Sequence, residues 1–74
     1  MNWDDLRYFL AVARQKTLSA AGQKLGVDGT TVGRRIVRLE ESLGSSLFEI
    51  AASGHLLTAR GEELLRHAED AERA

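Results

Sequence analysis

The chain has 74 residues, no cysteine and a net charge of −1 at pH 7. That length allows one domain with a small core and no disulfide to reinforce it, so stability is expected to draw on a partner subunit or a larger parent chain. His55 and His67 are the only histidines and form no ligand cluster, no stretch reaches membrane-spanning length, and no metal or other cofactor is expected.

The N-terminus, Met1-Asn2-Trp3-Asp4-Asp5, is acidic and lacks an apolar signal core, which predicts a cytoplasmic protein. Asp4 to Gln15 reads as a first helix, with Leu6, Phe9, Leu10 and Ala13 on one face and the two aspartates favourably placed in its first turn. Trp3 and Tyr8 are expected to pack rather than bind. Lys16 closes this helix.

Thr17 is placed to cap a second helix, along which Leu18, Ala21, Gly22 and Leu25 recur at helical spacing. The small pair Ala21-Gly22 would let another backbone come close. Gly26 supplies a stop, Val27 a buried plug in the turn, and Asp28 the cap of a third helix. That helix carries Val32, Ile36, Leu39 and Leu43 as one apolar stripe. Opposite the stripe, at about 3.6 residues per turn, lie Thr30, Arg34, Val37, Arg38 and Glu41, with Thr31 and Arg35 on the flanks. Two helices crossing at a short turn, the second with hydroxyls and arginines on its outer face, make a helix-turn-helix over residues 18–43. Such a second helix fits the major groove of B-DNA, where Arg pairs with guanine and Thr serves bases or phosphate. The competing reading of the same residues is a solvated basic face on an ordinary helical hairpin.

Gly44 ends the third helix. Leu47-Phe48-Glu49-Ile50 and His55-Leu56-Leu57-Thr58 then read as two short strands around Ala51-Ala52-Ser53-Gly54, a hairpin in the position of a wing. Between Leu43 and Leu57 there is no Lys or Arg. His55 is a candidate phosphate donor, although a histidine beside a turn is more often simply solvated. Thr58 is placed to cap a last helix from Ala59 to Ala74. Along it Leu57, Gly61, Leu64, Ala68 and Ala71 alternate offsets of four and three, with Leu65 beside them, a coiled-coil-like seam spanning only two heptads. We expect two copies to pair there, with packing on the helix's own domain as the competing reading.

Charge is divided along the chain. Residues 1–38 hold seven basic and three acidic side chains; residues 39–74 hold three basic and eight acidic. A basic half followed by an acidic one is what a polarised DNA-binding module would show. An enzyme is not expected: there is no cysteine nucleophile, no phosphate-cradling glycine loop, no carboxylate pair at usable spacing, and no histidine in motif context with any serine.

From residue 2 to 74 the chain resembles the N-terminal domain of the LysR-type transcriptional regulators. The resemblance is carried by WDDLRYFLAVAR, LSAAGQKLGV, DGTTVGRRIVRLEESLG, LFE and LLTARGEELL, in that order and spacing. It implies a mainly α fold: a winged helix-turn-helix of three helices plus a small β-hairpin wing over residues 1–58, then a linker and dimerisation helix over 59–74. It further implies paired domains on inverted-repeat double-stranded DNA, and a small-molecule effector domain outside this chain. By position, the resemblance makes Thr30 and Arg34 base readers, and Thr31, Arg35, Arg38 and Ser19 phosphate contacts. Gly33 and His55 complete the expected DNA-facing set, and Gly61, Leu64, Leu65, Ala68 and Ala71 the expected pairing set. Three features depart from the branch whose recognition helix reads Asp-His-Thr-Thr-Val-Ser-Arg-Arg-Ile. Gly29 and Gly33 replace His and Ser, which removes two groove-facing side chains, and Gly33 costs about 1 kcal/mol of helix stability relative to Ala. In the wing, Ile50-Ala51-Ala52-Ser53 replaces Arg-Thr-Pro-Arg. These departures leave room for an alternative, a winged-helix pairing or protein-interaction module with weakened DNA binding.

Overall fold

The computed structural model describes residues 1–74. Its elements are α1 (Trp3–Gln15), α2 (Leu18–Leu25), α3 (Gly29–Leu43), β1 (Phe48–Ala51), β2 (Gly54–Leu57) and α4 (Ala59–Arg73). Each helix starts where a side-chain oxygen satisfies an otherwise orphaned amide. Asn2 accepts from Asp5 at 2.9 Å, Thr17 from Ala20 at 3.1 Å, Asp28 from Thr31 at 2.7 Å and Thr58 from Gly61 at 3.0 Å. The last three match the caps read from the sequence. Asn2 adds a fourth and moves the start of α1 to Trp3. Lys16 adopts a left-handed conformation (φ 71°) and its amide donates to the carbonyl of Val12, which turns the chain into α2.

The core is a single cluster drawn from α1 (Tyr8, Phe9, Leu10, Val12), α2 (Ala21), α3 (Val32, Ile36, Leu39), the wing's root (Leu47, Phe48) and α4 (Leu64, Ala68). Phe9 and Phe48 meet with ring centroids 5.4 Å apart, joining the first helix to the wing. The turn between α2 and α3 closes tightly because Gly22 has no Cβ; one placed there would lie 2.5 Å from the carbonyl oxygen of Val27. The small pair in α2 therefore serves the close approach expected of it. Trp3, by contrast, is 47% exposed, so the expectation that it packs does not hold, whereas Tyr8 is buried.

The two strands form an antiparallel hairpin in which Phe48 faces Leu57 and Ala51 faces Gly54. The register is that of the expected strands, but the ladder runs one residue further at the tip, to Ala51 and Gly54, and at the root it gives way to bonds made by Leu47. Its amide donates to the Glu40 carboxylate at 2.7 Å and its carbonyl accepts from the Thr58 amide at 3.0 Å. Glu40 also accepts from the Phe48 amide at 3.4 Å. On the other strand the His55 amide donates to the Lys16 carbonyl at 2.6 Å. The wing is thus fastened to α3, to the α1–α2 joint and to the start of α4, which fixes its position beside α3.

Helix α4 belongs to this core. Ala68 is fully buried, Leu64 is 9% exposed, and a Cβ on Gly61 would collide with the backbone carbonyl of Leu47. At the far end Arg14 of α1 and Glu72 make a two-pronged ion pair at 2.9 and 2.7 Å, which raises the Arg14 pKa and holds the Glu72 carboxyl below its usual range. Residue 58 is therefore not a packing boundary. No helix is long and apolar enough to cross a membrane.

Candidate nucleic-acid interface

The outer face of α3 is built by its register. With Val32, Ile36 and Leu39 buried, Thr30, Arg34, Val37 and Arg38 are left exposed along one side. Arg34 and Arg38 make no ion pair within the chain. Val37 is 52% exposed between them. Beside this face a groove of about 560 Å³ runs between α3 and the wing, bounded by Thr30, Gly33, Arg34, Val37 and Arg38 on one wall and by Phe48, Ile50 and His55 on the other. Ser19 is exposed at the start of α2, and its amide nitrogen would lie 3.3 Å from a Cβ on Gly29. The chain order of helix, turn, helix and hairpin thus collects Thr30, Gly33, Arg34, Arg38 and His55 on one surface.

Arg35 is the exception among the expected DNA contacts. Its guanidinium turns back onto α1, donating to Asp4 at 2.9 Å and Asp5 at 3.2 Å, and lies 4.3 Å above the centre of the Tyr8 ring. These bonds hold the Asp4 carboxyl below its usual range and raise the Arg35 pKa. A guanidinium occupied by two carboxylates and an aromatic face is a fastening between α1 and α3, not a free phosphate ligand. Asp4 and Asp5 looked in the sequence like dipole partners of α1; their second task needed the α1–α3 packing to become visible.

Other expected residues are refined. Thr31 is half-buried in the first turn, where its amide donates to Asp28; that bond is the first cause of the lowered Asp28 pKa. His55 is not simply solvated: it stands edge-on to Phe48, ring centroids 5.8 Å apart, and helps line the groove. Gly29 and Gly33 both border the groove, yet their missing side chains point toward α2. A Cβ on Gly33 would meet the Leu18 Cδ1 at 3.1 Å, and one on Gly29 would meet the Leu18–Ser19 backbone. The glycines therefore draw α3 close to the start of α2 as well as leaving the groove wall bare. Of the expected pairing residues, Gly61, Leu64 and Ala68 are consumed by the core, Leu65 is half-buried against it, and only Ala71 is exposed. Gly61, Leu64 and Ala68 thus pack on the helix's own domain, the competing reading for those three, while Leu65 and Ala71 keep accessible surface. The groove-lining Ile50 and Val37 are additions; Val37 was already on the outer face by periodicity, whereas Ile50 needed the wing's placement.

Comparison with known proteins agrees with this arrangement. Residues 3–62 match the family described as bacterial regulatory helix-turn-helix protein, lysR family. The regulator ClcR of Pseudomonas putida is 41% identical over 68 residues, 92% of this chain and 23% of that protein. The chain spans less than half the length of the curated relatives it matches. Among solved structures, the CbnR DBD–DNA complex superposes with a TM-score of 0.91 at 34% identity, covering 99% of this chain and 84% of that one. The BenM DBD bound to benA site 1 DNA superposes at 0.92 with 30% identity, covering 99% and 82%. With the helix-turn-helix, the wing and the outer face of α3 in the same order, the chain belongs to the lysR family of bacterial regulatory helix-turn-helix proteins.

Proposed function

We propose that this chain is the sequence-specific DNA-binding domain of a transcription regulator, acting in the cytoplasm without catalytic activity of its own. The observation that carries the reading is the outer face of α3: two arginines with no ion-pair partner in the chain, aligned with Thr30 beside the wing. Helix α3, with its side chains, has the 10–12 Å width of an α-helix and matches a major groove of about 12 Å. Arg34 reads a base pair, guanine by its fork of donors; Thr30 reads or orients beside it; Arg38 and Ser19 hold phosphates. Solved relatives that superpose on this chain are bound to DNA, which supports DNA as the partner of this one.

Two copies pair on an inverted repeat, each placing one α3 in the groove. On α4 the side chains left for a partner are Leu65 and Ala71, not the buried Leu64 and Ala68.

Selection from a random duplex pool at moderate salt tests the reading. Enrichment of an inverted repeat is expected, and the half-site spacing reports the pair's geometry. Retention without enrichment contradicts base readout by α3. With Arg35 turned back onto α1 and Arg34 on a base, Arg38 is the arginine of α3 left for phosphate, so α3 is expected to contribute about −0.9 per subunit to the slope of log affinity against log salt.

A further inference from the structure

Val37 has no role in the reading above, and its environment is unusual for an exposed valine. It lies between Arg34 and Arg38 on the outer face of α3, 52% exposed, and lines the groove together with Ile50 of the wing, which is 83% exposed. These are two of the five large apolar side chains left open to solvent. Two apolar side chains on facing walls of a groove lined by Arg34 and Arg38 against the single carboxylate of Glu40 call for an occupant that is anionic overall and apolar at one point.

The spacing says where on a duplex that point lies. Helices that read the major groove do so with side chains at i, i+3, i+4 and i+7. Counted from Thr30, those positions are Gly33, Arg34 and Val37. The span from Thr30 to Val37 is about 10 Å at 1.5 Å per residue, within reach of neighbouring base pairs on one groove floor. Gly33 contributes no side chain between them, and a Cβ there would meet Leu18 of α2 at 3.1 Å, so the side chains offered to the bases along this row are those of Thr30, Arg34 and Val37. In the major groove only one base presents an apolar group, the 5-methyl of thymine. Given the DNA-binding reading, on which this step rests, we propose that Val37 is a specificity residue that selects a thymine by packing against its 5-methyl group, with Ile50 closing the groove over that contact from the wing side.

The test uses the duplex enriched from the random pool, synthesised with thymidine or with deoxyuridine at every thymine position. Deoxyuridine pairs identically but lacks the methyl. The intact chain is expected to bind the deoxyuridine duplex about fourfold more weakly for each contacted methyl, the value of one buried methylene-sized group. Val37→Ala is expected to bind the two duplexes alike while keeping its circular dichroism and its preference at the base pair read by Arg34. Equal binding of both duplexes by the intact chain overturns the inference and leaves the DNA-binding reading standing. Undiminished discrimination by Val37→Ala also overturns it, because the methyl is then read elsewhere; if Ile50→Ala abolishes discrimination in that case, the reader is the wing. Failure of the intact chain to retain any duplex overturns the underlying reading itself.

Discussion

Helices α3 and α4 are both fifteen residues long and both amphipathic, yet they face the outside differently. Helix α4 carries eight charged side chains against five on α3, so charge density alone would nominate α4 as the functional surface. Its charges are largely spoken for: Arg60 with Glu63, Arg73 with Asp70, Glu72 with Arg14. On α3 the outward Arg34 and Arg38 have no partner, and an exposed valine sits between them. An interaction face is marked by groups the fold leaves unsatisfied, not by how many charges a helix displays. Arg35 makes the point within a single helix, since one position beyond Arg34 its guanidinium is turned back onto Asp4, Asp5 and the Tyr8 ring.

The contrast is broken most severely from the inside of α4. Leu64→Ala should destabilise the domain by about 2–5 kcal/mol, as for other buried leucines, most of the roughly 3–5 kcal/mol a core of this size supplies. Urea unfolding checks it; an unchanged midpoint with loss of pairing would return Leu64 to the inter-subunit seam. On α3, Arg34→Ala should weaken binding to the selected duplex by about 1–3 kcal/mol and leave the unfolding midpoint within about 0.5 kcal/mol of the parent, measured by titration and urea unfolding side by side.

Arg35→Ala should do the reverse, costing about 1 kcal/mol of stability from a half-open pair and its aromatic contact, with little change in the salt slope of DNA binding. It also carries a pH signature. Because Asp4 has its folded pKa lowered by Arg35, its contribution is present above the ordinary carboxylate range and is lost as pH falls below about 4. Unfolding measured at neutral and acid pH should therefore show a smaller acid loss in Arg35→Ala than in the parent. The smallest effect expected is a gain: Ile50→Arg restores a cation to the wing and should steepen the salt slope by about 0.9 per phosphate reached.

Much of this was legible from residue order. Thr17, Asp28 and Thr58 as caps, Gly26 and Gly44 as stops, and the stripe of Val32, Ile36 and Leu39 are local signals, and they place the outer face of α3 correctly. What periodicity could not decide was the partner of each stripe. Gly61, Leu64 and Ala68 have coiled-coil spacing, but spacing is the same whether the neighbour is another subunit or Leu47 of the same chain. The role of Arg35 was hidden for a similar reason: its partners lie about thirty residues away on α1. His55 looked like a turn histidine until the hairpin's register set it against Phe48. Long-range contacts, not local propensity, supplied each correction.

The central claim is that the open face of α3 reads bases, and the most direct measurement is duplex selection run in parallel on the intact chain and on Arg34→Ala. The account predicts that both enrich an inverted repeat and that the variant loses its preference at one base pair in each half-site while the rest of the motif persists. An identical motif from both proteins, recovered with uniformly weaker retention by the variant, would assign Arg34 to the phosphate backbone and contradict the account.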